Sequence, residues 1–199
     1  MNMSETFTAD DIKTIDDAIT EKEKTKIIQA FSNASWRLDW PVSSTPFARP
    51  CWHFFIAGSK RSTLESCEDE LTNNETWGFL IHIWRRIRST HLQNSTLLGV
   101  YANGQTFGQD SPIHRDNLAH ESGNTIVLFC NDFWATSWGG ELTFCNNSKD
   151  DLIAAVLPKP GRITIFKGQI PHRARCPSVD CDRLRITIAF KTINKEPSK

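Results

Sequence analysis

The chain has 199 residues and carries 23 Lys+Arg against 23 Asp+Glu, so its formal charge is zero. That balance leaves no basic footprint for nucleic acid or an anionic membrane surface, and no apolar run approaches the roughly 18 residues of a membrane span. Hydrophobic residues at 39%, including 7 Trp and 12 Phe, supply a real core and exclude a disordered chain.

Taken from the N-terminus, Thr8 or Asp10 is placed to cap a helix, because its side-chain oxygen can accept from the orphan amides of a first turn. Ile12, Ile15, Ala18 and Ile19 follow at helical spacing, and Ile27, Ile28 and Phe31 extend the stripe. The run Glu21-Lys22-Glu23-Lys24 reads as a solvated face. Residues 36–55 hold Trp36, Trp40, Phe47, Trp52, Phe54 and Phe55, interrupted by Pro41, Pro46 and Pro50, which exclude a regular helix. They read as an aromatic layer over the edge or mouth of the core, with a substrate-lining wall as the alternative. A second helix is predicted from Asn74 to Ser89, with Trp77, Leu80, Ile81, Trp84 and Ile87 inward and Arg85, Arg86 and Arg88 outward.

Near residue 95 the period changes. Leu97–Tyr101, Asn124–Cys130, Glu141–Phe144, Ile153–Leu157, Arg162–Phe166 and Leu184–Lys191 read as short strands, punctuated by Gly139-Gly140 and Pro158-Lys159-Pro160-Gly161. That pattern predicts a mainly β, α+β protein, a sandwich or jelly roll with the N-terminal helices on one face. The expected organisation is one domain over 1–199: a helical, aromatic-rich support region (1–95), a catalytic core (96–192) and a tail (193–199). The six cysteines are too few and scattered for a disulfide scaffold, and Cys176 and Cys181 read as reduced bystanders. The opening Met-Asn-Met-Ser-Glu-Thr lacks a signal-peptide pattern, so a soluble, cytoplasmic protein is expected.

Of the six histidines, His53, His82, His91 and His120 have no partner at ligand spacing and read as structural or exposed. His114 differs. In extended chain, positions i and i+2 face one way, so His114 and Asp116 can address a single point. His172, several strands further on, offers a third ligand. Two imidazoles and one carboxylate form the facial set that leaves positions open on non-haem Fe(II). Zinc accepts the same ligands, although structural zinc prefers a closed, commonly thiolate-rich set. Beyond His172, Arg183, Arg185, Thr187 and Ala189 share one face of a strand, with Leu184, Ile186, Ile188 and Phe190 on the other. If that face points into a barrel, the arginine and threonine need a partner, and a bound dicarboxylate supplies one through bidentate guanidinium contacts. A face turned out to water is the alternative, which the neighbouring His/Asp/His set disfavours.

Tyr101, His114-Arg115-Asp116, Trp138-Gly139-Gly140-Glu141-Leu142, Pro160-Gly161-Arg162, His172 and Arg185-Ile186-Thr187, in that order, resemble the Fe(II)/2-oxoglutarate-dependent dioxygenases. The prolyl-4-hydroxylase-like branch, which includes hydroxylases of proteins, is the nearest, and the resemblance covers about 97–191. It implies a double-stranded β-helix (jelly-roll, cupin-like) with iron at its open end. His114, Asp116 and His172 would then be the iron ligands and the catalytic set. Arg185 would hold the distal carboxylate of 2-oxoglutarate beside Thr187, with Tyr101 approaching the co-substrate and Val127 and Leu142 lining the pocket. Phe129 stands where relatives often place a tyrosine, and Arg183 rivals Arg185 because the segment after His172 is longer than in several relatives.

The chemistry implied uses Fe(II), 2-oxoglutarate and O2, releases succinate and CO2, and oxidises, chiefly by hydroxylation, an unactivated C–H bond of a small molecule or amino acid. A protein prolyl or other residue hydroxylase is the alternative. Asp116 disfavours a halogenase, whereas desaturation and ring formation stay open. A non-catalytic jelly-roll metal-binding module, and a cupin that does not use 2-oxoglutarate, are the readings from other classes. The expected partners are a small-molecule, amino-acid or peptide substrate, with neither nucleic acid nor membrane. The stretch from Ala102 to Asp110 is expected to border the mouth, with Asn103-Gly104 read alternatively as a turn.

Overall fold

Alternating side-chain polarity from Ser95 onward dictates a sheet with one face for helices and one for a cavity, and the computed structural model has that layering. It describes residues 6–40, 49–58 and 64–194. In chain order its elements are β1 (Ile12–Ile15), α1 (Glu21–Ser32), β2 (Arg37–Trp40), β3 (Cys51–Ala57), α2 (Glu68–Thr72), α3 (Leu80–His91), β4 (Ser95–Gln105), β5 (Asn124–Phe129), β6 (Leu142–Cys145), β7 (Leu152–Val156), β8 (Ile163–Lys167), β9 (His172–Ala174) and β10 (Arg185–Asn194). One antiparallel sheet runs β1-β8-β5-β10-β4-β3-β2, and a smaller one runs β7-β6-β9. The two sheets form the double-stranded β-helix. No helix among the described residues is long and apolar enough to cross a membrane.

Two apolar layers hold the strands. On the outer face of the large sheet, Val100, Ala102, Ile126, Leu128, Ile188 and Phe190 pack with Leu80, Ile83, Trp84 and Ile87 of α3. Between the sheets, Val127, Phe129 and Phe166 meet Leu142, Phe144, Val156 and Ile170. Burying these side chains removes apolar surface from water at roughly 25 cal/mol per Å². Trp84 is fully buried, and its indole N–H donates to Glu68 (2.9 Å), which also pairs with Arg88 (2.6 Å). Thus α2 and α3 are tied together through one carboxylate.

The N-terminal region departs from expectation. Ile12 and Ile15 belong to an edge strand paired with β8, Ile12 opposite Phe166 and Ile15 opposite Ile163. Their spacing suits a helix, but the free edge of β8 offers a ladder that a short helix would leave unpaired. Thr8 stands before a single 3-10 turn (Ala9–Asp11), its backbone N–H donating to Asp11 (2.9 Å). The helix proper starts at Glu21, where Thr20 and Glu23 make a reciprocal capping box. Glu23 is therefore more than part of a solvated run, since it also accepts from both terminal nitrogens of Arg86 (3.0 Å each).

The second helix begins at Leu80, later than predicted, because the Asn74 carboxamide closes a turn by accepting from Thr76 and Trp77 amides (3.1 and 2.9 Å). Part of the aromatic segment is β-structure: β2 and β3 extend the large sheet beyond β4. Trp36 and Phe54 pack with Phe31 and Trp77, with ring centroids 4.9–5.6 Å apart between successive neighbours, on the helix side. Pro41, Pro46, Phe47 and the tail from residue 195 lie outside the described residues.

Asp16, just after β1, clamps the edge strand to the turn before β8. Its carboxylate accepts from Arg162 Nε (2.6 Å) and Nη2 (3.2 Å) and from Lys159 (2.7 Å). Those contacts, Arg162 first, hold its pKa down to about 2. A depressed carboxyl contributes stability above its unfolded pKa, and that contribution is lost as pH falls through the folded value. Asp16→Asn is therefore expected to be less stable than the native chain above about pH 4. The two urea midpoints converge toward pH 2, and a gap independent of pH would contradict the assignment.

Candidate active site

The cleft between the sheets, about 210 Å³, is organised by rungs across three strands. On β10, Arg185 lies opposite Gln105, Thr187 opposite Asn103 and Phe129, Ala189 opposite Tyr101 and Val127, and Lys191 opposite Gly99 and Thr125. Because alternate residues of a strand face one way, Arg185, Thr187, Ala189 and Lys191 all enter the cleft, while Ile186, Ile188 and Phe190 turn to the helix side. Arg185, Thr187 and Ala189 on one face and Ile186, Ile188 and Phe190 on the other are placed as expected; Arg183 is the exception. It lies before the strand, paired at the surface with Asp132 (2.7 Å) and above the Phe133 and Trp138 rings.

His114 and His172 are brought together by an isolated antiparallel bridge. Each backbone N–H donates to the other's carbonyl at 2.9 Å. Asp116 follows two residues later, its amide bonded to the Gly168 carbonyl (2.8 Å). One ligand atom from each of His114, Asp116 and His172 lies within 4.8 Å of the others. Both imidazoles present Nδ1 to a carbonyl, His114 to Pro112 (3.0 Å) and His172 to Ile170 (2.8 Å). A carbonyl only accepts, so Nδ1 carries the proton and Nε2 is the free edge. The two Nε2 atoms stand 3.6 and 3.2 Å from the Asp116 carboxylate.

Three acceptors converging this way repel unless a cation lies among them, which is the donor set a divalent metal needs. Desolvation in the cleft, then the neighbouring His172, hold the His114 pKa below its ordinary value, so that its imidazole is neutral near pH 7 and its Nε2 lone pair is available. The His172 ring is further fixed by Phe166 and Phe144, with centroids 4.6 and 6.1 Å away.

Arg185 is 1% exposed. Its Nε donates to the Gly140 carbonyl (2.6 Å) and Nη1 to Gln105 Oε1 (3.1 Å), but the buried Nη2 has no partner. An unsatisfied guanidinium nitrogen in a buried cleft fits a carboxylate. Burial lowers the Arg185 pKa to about 10, so it stays charged at neutral pH. Phe129 does not line the cleft directly; its ring lies 5.3 Å from the Arg185 guanidinium and backs it. Tyr101, Val127, Leu142 and Thr187 do line it. Cys51 lines it too, but burial pushes its thiol up to about 11, so it is not a thiolate.

Gly140 has φ +76°, and an added Cβ would lie 3.1 Å from both Arg185 Cδ and Trp134 Cζ2. Gly140→Ala is expected to cost on the order of 1–3 kcal/mol from the left-handed backbone and to displace Arg185. Urea denaturation and 2-oxoglutarate affinity should both fall, and unchanged values in both would contradict that packing.

The stretch Ala102–Asp110 was expected to border the mouth, and Asn103 and Gln105 of it do line the cleft, as positions of β4. The alternative, an Asn103-Gly104 turn, is incorrect: the strand partners Thr187 and Ile186 continue the ladder there. A cleft residue that the sequence reading missed is Lys191, whose ammonium contacts an Asp116 carboxylate oxygen and lies 3.1 Å from Thr125 Oγ1. Thr125 also donates to Asp116 (2.6 Å). Burial would lower the Lys191 pKa, but Asp116 and Tyr101 outweigh it and the ammonium is retained. Against its own desolvation, Lys191 and then His172 hold the Asp116 carboxyl well below the usual carboxylate range. Continuing the alternation two residues past Ala189 would have found Lys191.

Residues 98–191, spanning every one of these rungs and all three candidate ligands, match the model of the 2OG-Fe(II) oxygenase superfamily. The β-core of this chain belongs to that superfamily. Fe(II), 2-oxoglutarate and O2 are accordingly the cofactors this oxygenase uses. No curated protein matches in sequence.

Among solved structures, the oxygenase is similar to a prolyl hydroxylase from Trichoplax adhaerens in complex with a hypoxia inducible factor peptide fragment. That match has 15% identity and a TM-score of 0.67, and covers 94% of this chain and 84% of that one. A Pseudomonas putida prolyl-4-hydroxylase matches at 13% identity and TM-score 0.61, covering 94% of both chains. A non-haem alpha-ketoglutarate-dependent epimerase of nogalamycin biosynthesis matches at 10% and 0.60, covering 92% of this chain and 78% of that one. At these identities the likeness is one of fold.

Proposed function

We propose that this oxygenase hydroxylates an unactivated C–H bond of a small molecule or amino acid, releasing succinate and CO2. The observation that carries the reading is the pairing, in one cleft, of three convergent acceptors (His114, Asp116, His172) with the unpartnered Nη2 of buried Arg185. A metal and a dicarboxylate satisfy both at once. His114, Asp116 and His172 are read as the iron ligands, and Arg185, with Thr187 and Tyr101, as the seat of 2-oxoglutarate. When bound, iron and 2-oxoglutarate supply the oxidative chemistry with O2.

The chain's own residues bind, orient and exclude water. Pro112 and Ile170 carbonyls fix the imidazole tautomers, and Gly140 and Gln105 hold the guanidinium fork in register. Val127 and Leu142 wall the cleft with apolar surface between the two ends. A protein-residue hydroxylase is the second reading, favoured by the peptide complex of the similar Trichoplax adhaerens enzyme. A non-catalytic module has no use for an orphaned guanidinium. Residues 1–95 are read as support for the core within one domain, since α3 and β3 pack on it or extend it. The six free cysteines favour a reducing, cytoplasmic setting.

The test is anaerobic visible absorption of the apo-protein titrated with Fe(II) and then 2-oxoglutarate, followed by succinate assay and mass analysis of candidate substrates after O2 is admitted. A charge-transfer band that needs both additions supports the reading. Iron binding with no band on adding 2-oxoglutarate rejects it in favour of a cupin of other chemistry.

A further inference from the structure

Resting on the oxygenase reading above, we propose that Lys191 is the anchor for a carboxylate on the primary substrate, which is therefore an amino acid or another small carboxylic acid.

Charge balance leads there. Among the described residues, the charged groups lining the cleft are Arg115, Asp116, Arg185 and Lys191. Arg115 is turned outward onto neutral acceptors, the Asn147 side chain and carbonyl (3.1 Å each) and the Gln169 carbonyl, and stays at the exposed rim. Loading the cleft with a divalent metal and a dianionic co-substrate assigns the remaining charges. One co-substrate carboxylate balances Arg185, while the other, with Asp116, balances the metal. Lys191 is left over. The carboxylate it touches, Asp116, is then shared with a dication that competes for the same oxygens. A buried ammonium that loses its counter-ion is strongly disfavoured, and a third carboxylate restores the balance.

Geometry fits the same assignment. Arg185 and Lys191 share one face of β10 with their backbone positions six residues apart, about 20 Å along a strand, so the two cations enter the cleft from opposite ends. Lys191 and Asp116 also line a second cavity, of about 170 Å³, beyond the metal-ligand cluster. Leu98, Gly99 and Ile193 supply apolar wall there, with Asn117 and Glu121 as polar groups. The Glu121 carboxylate accepts from the Leu118 amide (2.8 Å). The ammonium thus stands where the cleft meets a cavity on the side away from Arg185, placed to hold an acid with its C–H bond toward the ligand cluster.

The experiment loads native protein and Lys191→Met anaerobically with Fe(II) and 2-oxoglutarate, and measures each binding step by absorption. Calorimetric titration follows with a panel of L-amino acids and short-chain carboxylic acids, each paired with its primary amide. The native protein should bind at least one acid about tenfold or more tighter than its amide, as expected for a hydrogen bond to a charged group. In Lys191→Met that ratio falls to about one, with 2-oxoglutarate affinity unchanged and Fe(II) affinity equal or higher because the competing ammonium is gone.

Four results overturn the proposal. The first is that the native protein binds no acid of the panel in preference to its amide, and the second that the preference persists in the variant. Weaker Fe(II) binding in the variant would make Lys191 a positioning residue for Asp116, and weaker 2-oxoglutarate binding would place it in the co-substrate seat. Failure of the native protein to form the ternary band is a different result, which rejects the oxygenase reading itself.

Discussion

Arg185→Met is expected to weaken 2-oxoglutarate binding by about two to three orders of magnitude while leaving Fe(II) affinity unchanged. Truncating one partner of a buried, hydrogen-bonded charge pair costs roughly 2–5 kcal/mol, and Arg185 is both buried and the holder of an unpartnered nitrogen. Its remaining nitrogens are already fixed by Gly140 and Gln105, so the fork is pre-oriented and a carboxylate gains two aligned donors at little entropic cost. Methionine keeps most of the volume, and exchanging a buried charge for an apolar side chain is often neutral for stability. A collapse of folding is therefore not the expected cause of the loss. Arg185→Lys keeps the charge without the planar fork and should fall between the two. Arg183→Met, which removes only the surface pair with Asp132, should bind the co-substrate normally. Anaerobic absorption titration checks all three. Loss in Arg183→Met rather than Arg185→Met would reverse the assignment.

His114→Ala is expected to lower Fe(II) affinity by at least about a hundredfold, since even partners that merely orient a ligand are worth 10–100-fold. Of the three proposed ligands, His114 is the one to remove because it stands at the exposed rim. His172 is packed against Phe144 and Phe166, and its loss would leave a cavity in the core. Metal bound only to the folded state stabilises it by about 2.7 kcal/mol at a hundred times Kd. The native protein should accordingly melt higher with Fe(II) under anaerobic conditions, and the variant should not. Equilibrium dialysis gives the affinity directly. Native-like Fe(II) binding by His114→Ala would be fatal to the three-ligand reading.

The parts of this molecule legible in its sequence are those whose period is short and whose partners are local. Arg185, Thr187 and Ala189 alternate with Ile186, Ile188 and Phe190, and the strand forms with those faces. His114 and Asp116 are two residues apart and do reach one point. What was not legible depended on partners far away in the chain. Ile12 and Ile15 became a strand because β8 has an edge to fill. The three-residue β9 is too short to show any period, and it exists because β6 pairs with it. The alternation puts Lys191 on the cleft face, but only the fold places Asp116 and Thr125 beside it. The capping box of Thr20 and Glu23, by contrast, was present in the sequence as a local signal and marked the true helix start.

The place of β10 in the large sheet has a consequence for how the protein comes into being. It is the last strand in the chain yet lies fourth of seven, between β5 and β4. A nascent chain that has emerged only as far as Leu184 therefore holds two unjoined sheet fragments, β1-β8-β5 and β4-β3-β2, each with a bare hydrogen-bonding edge. The helix-side core cannot close over them, because Ile188 and Phe190 are missing from its middle. Folding of the core is thus completed only after β10 has emerged. Arg185 and Thr187 arrive in the same stretch, so an interrupted translation product lacks the proposed co-substrate seat and exposes edges that invite aggregation.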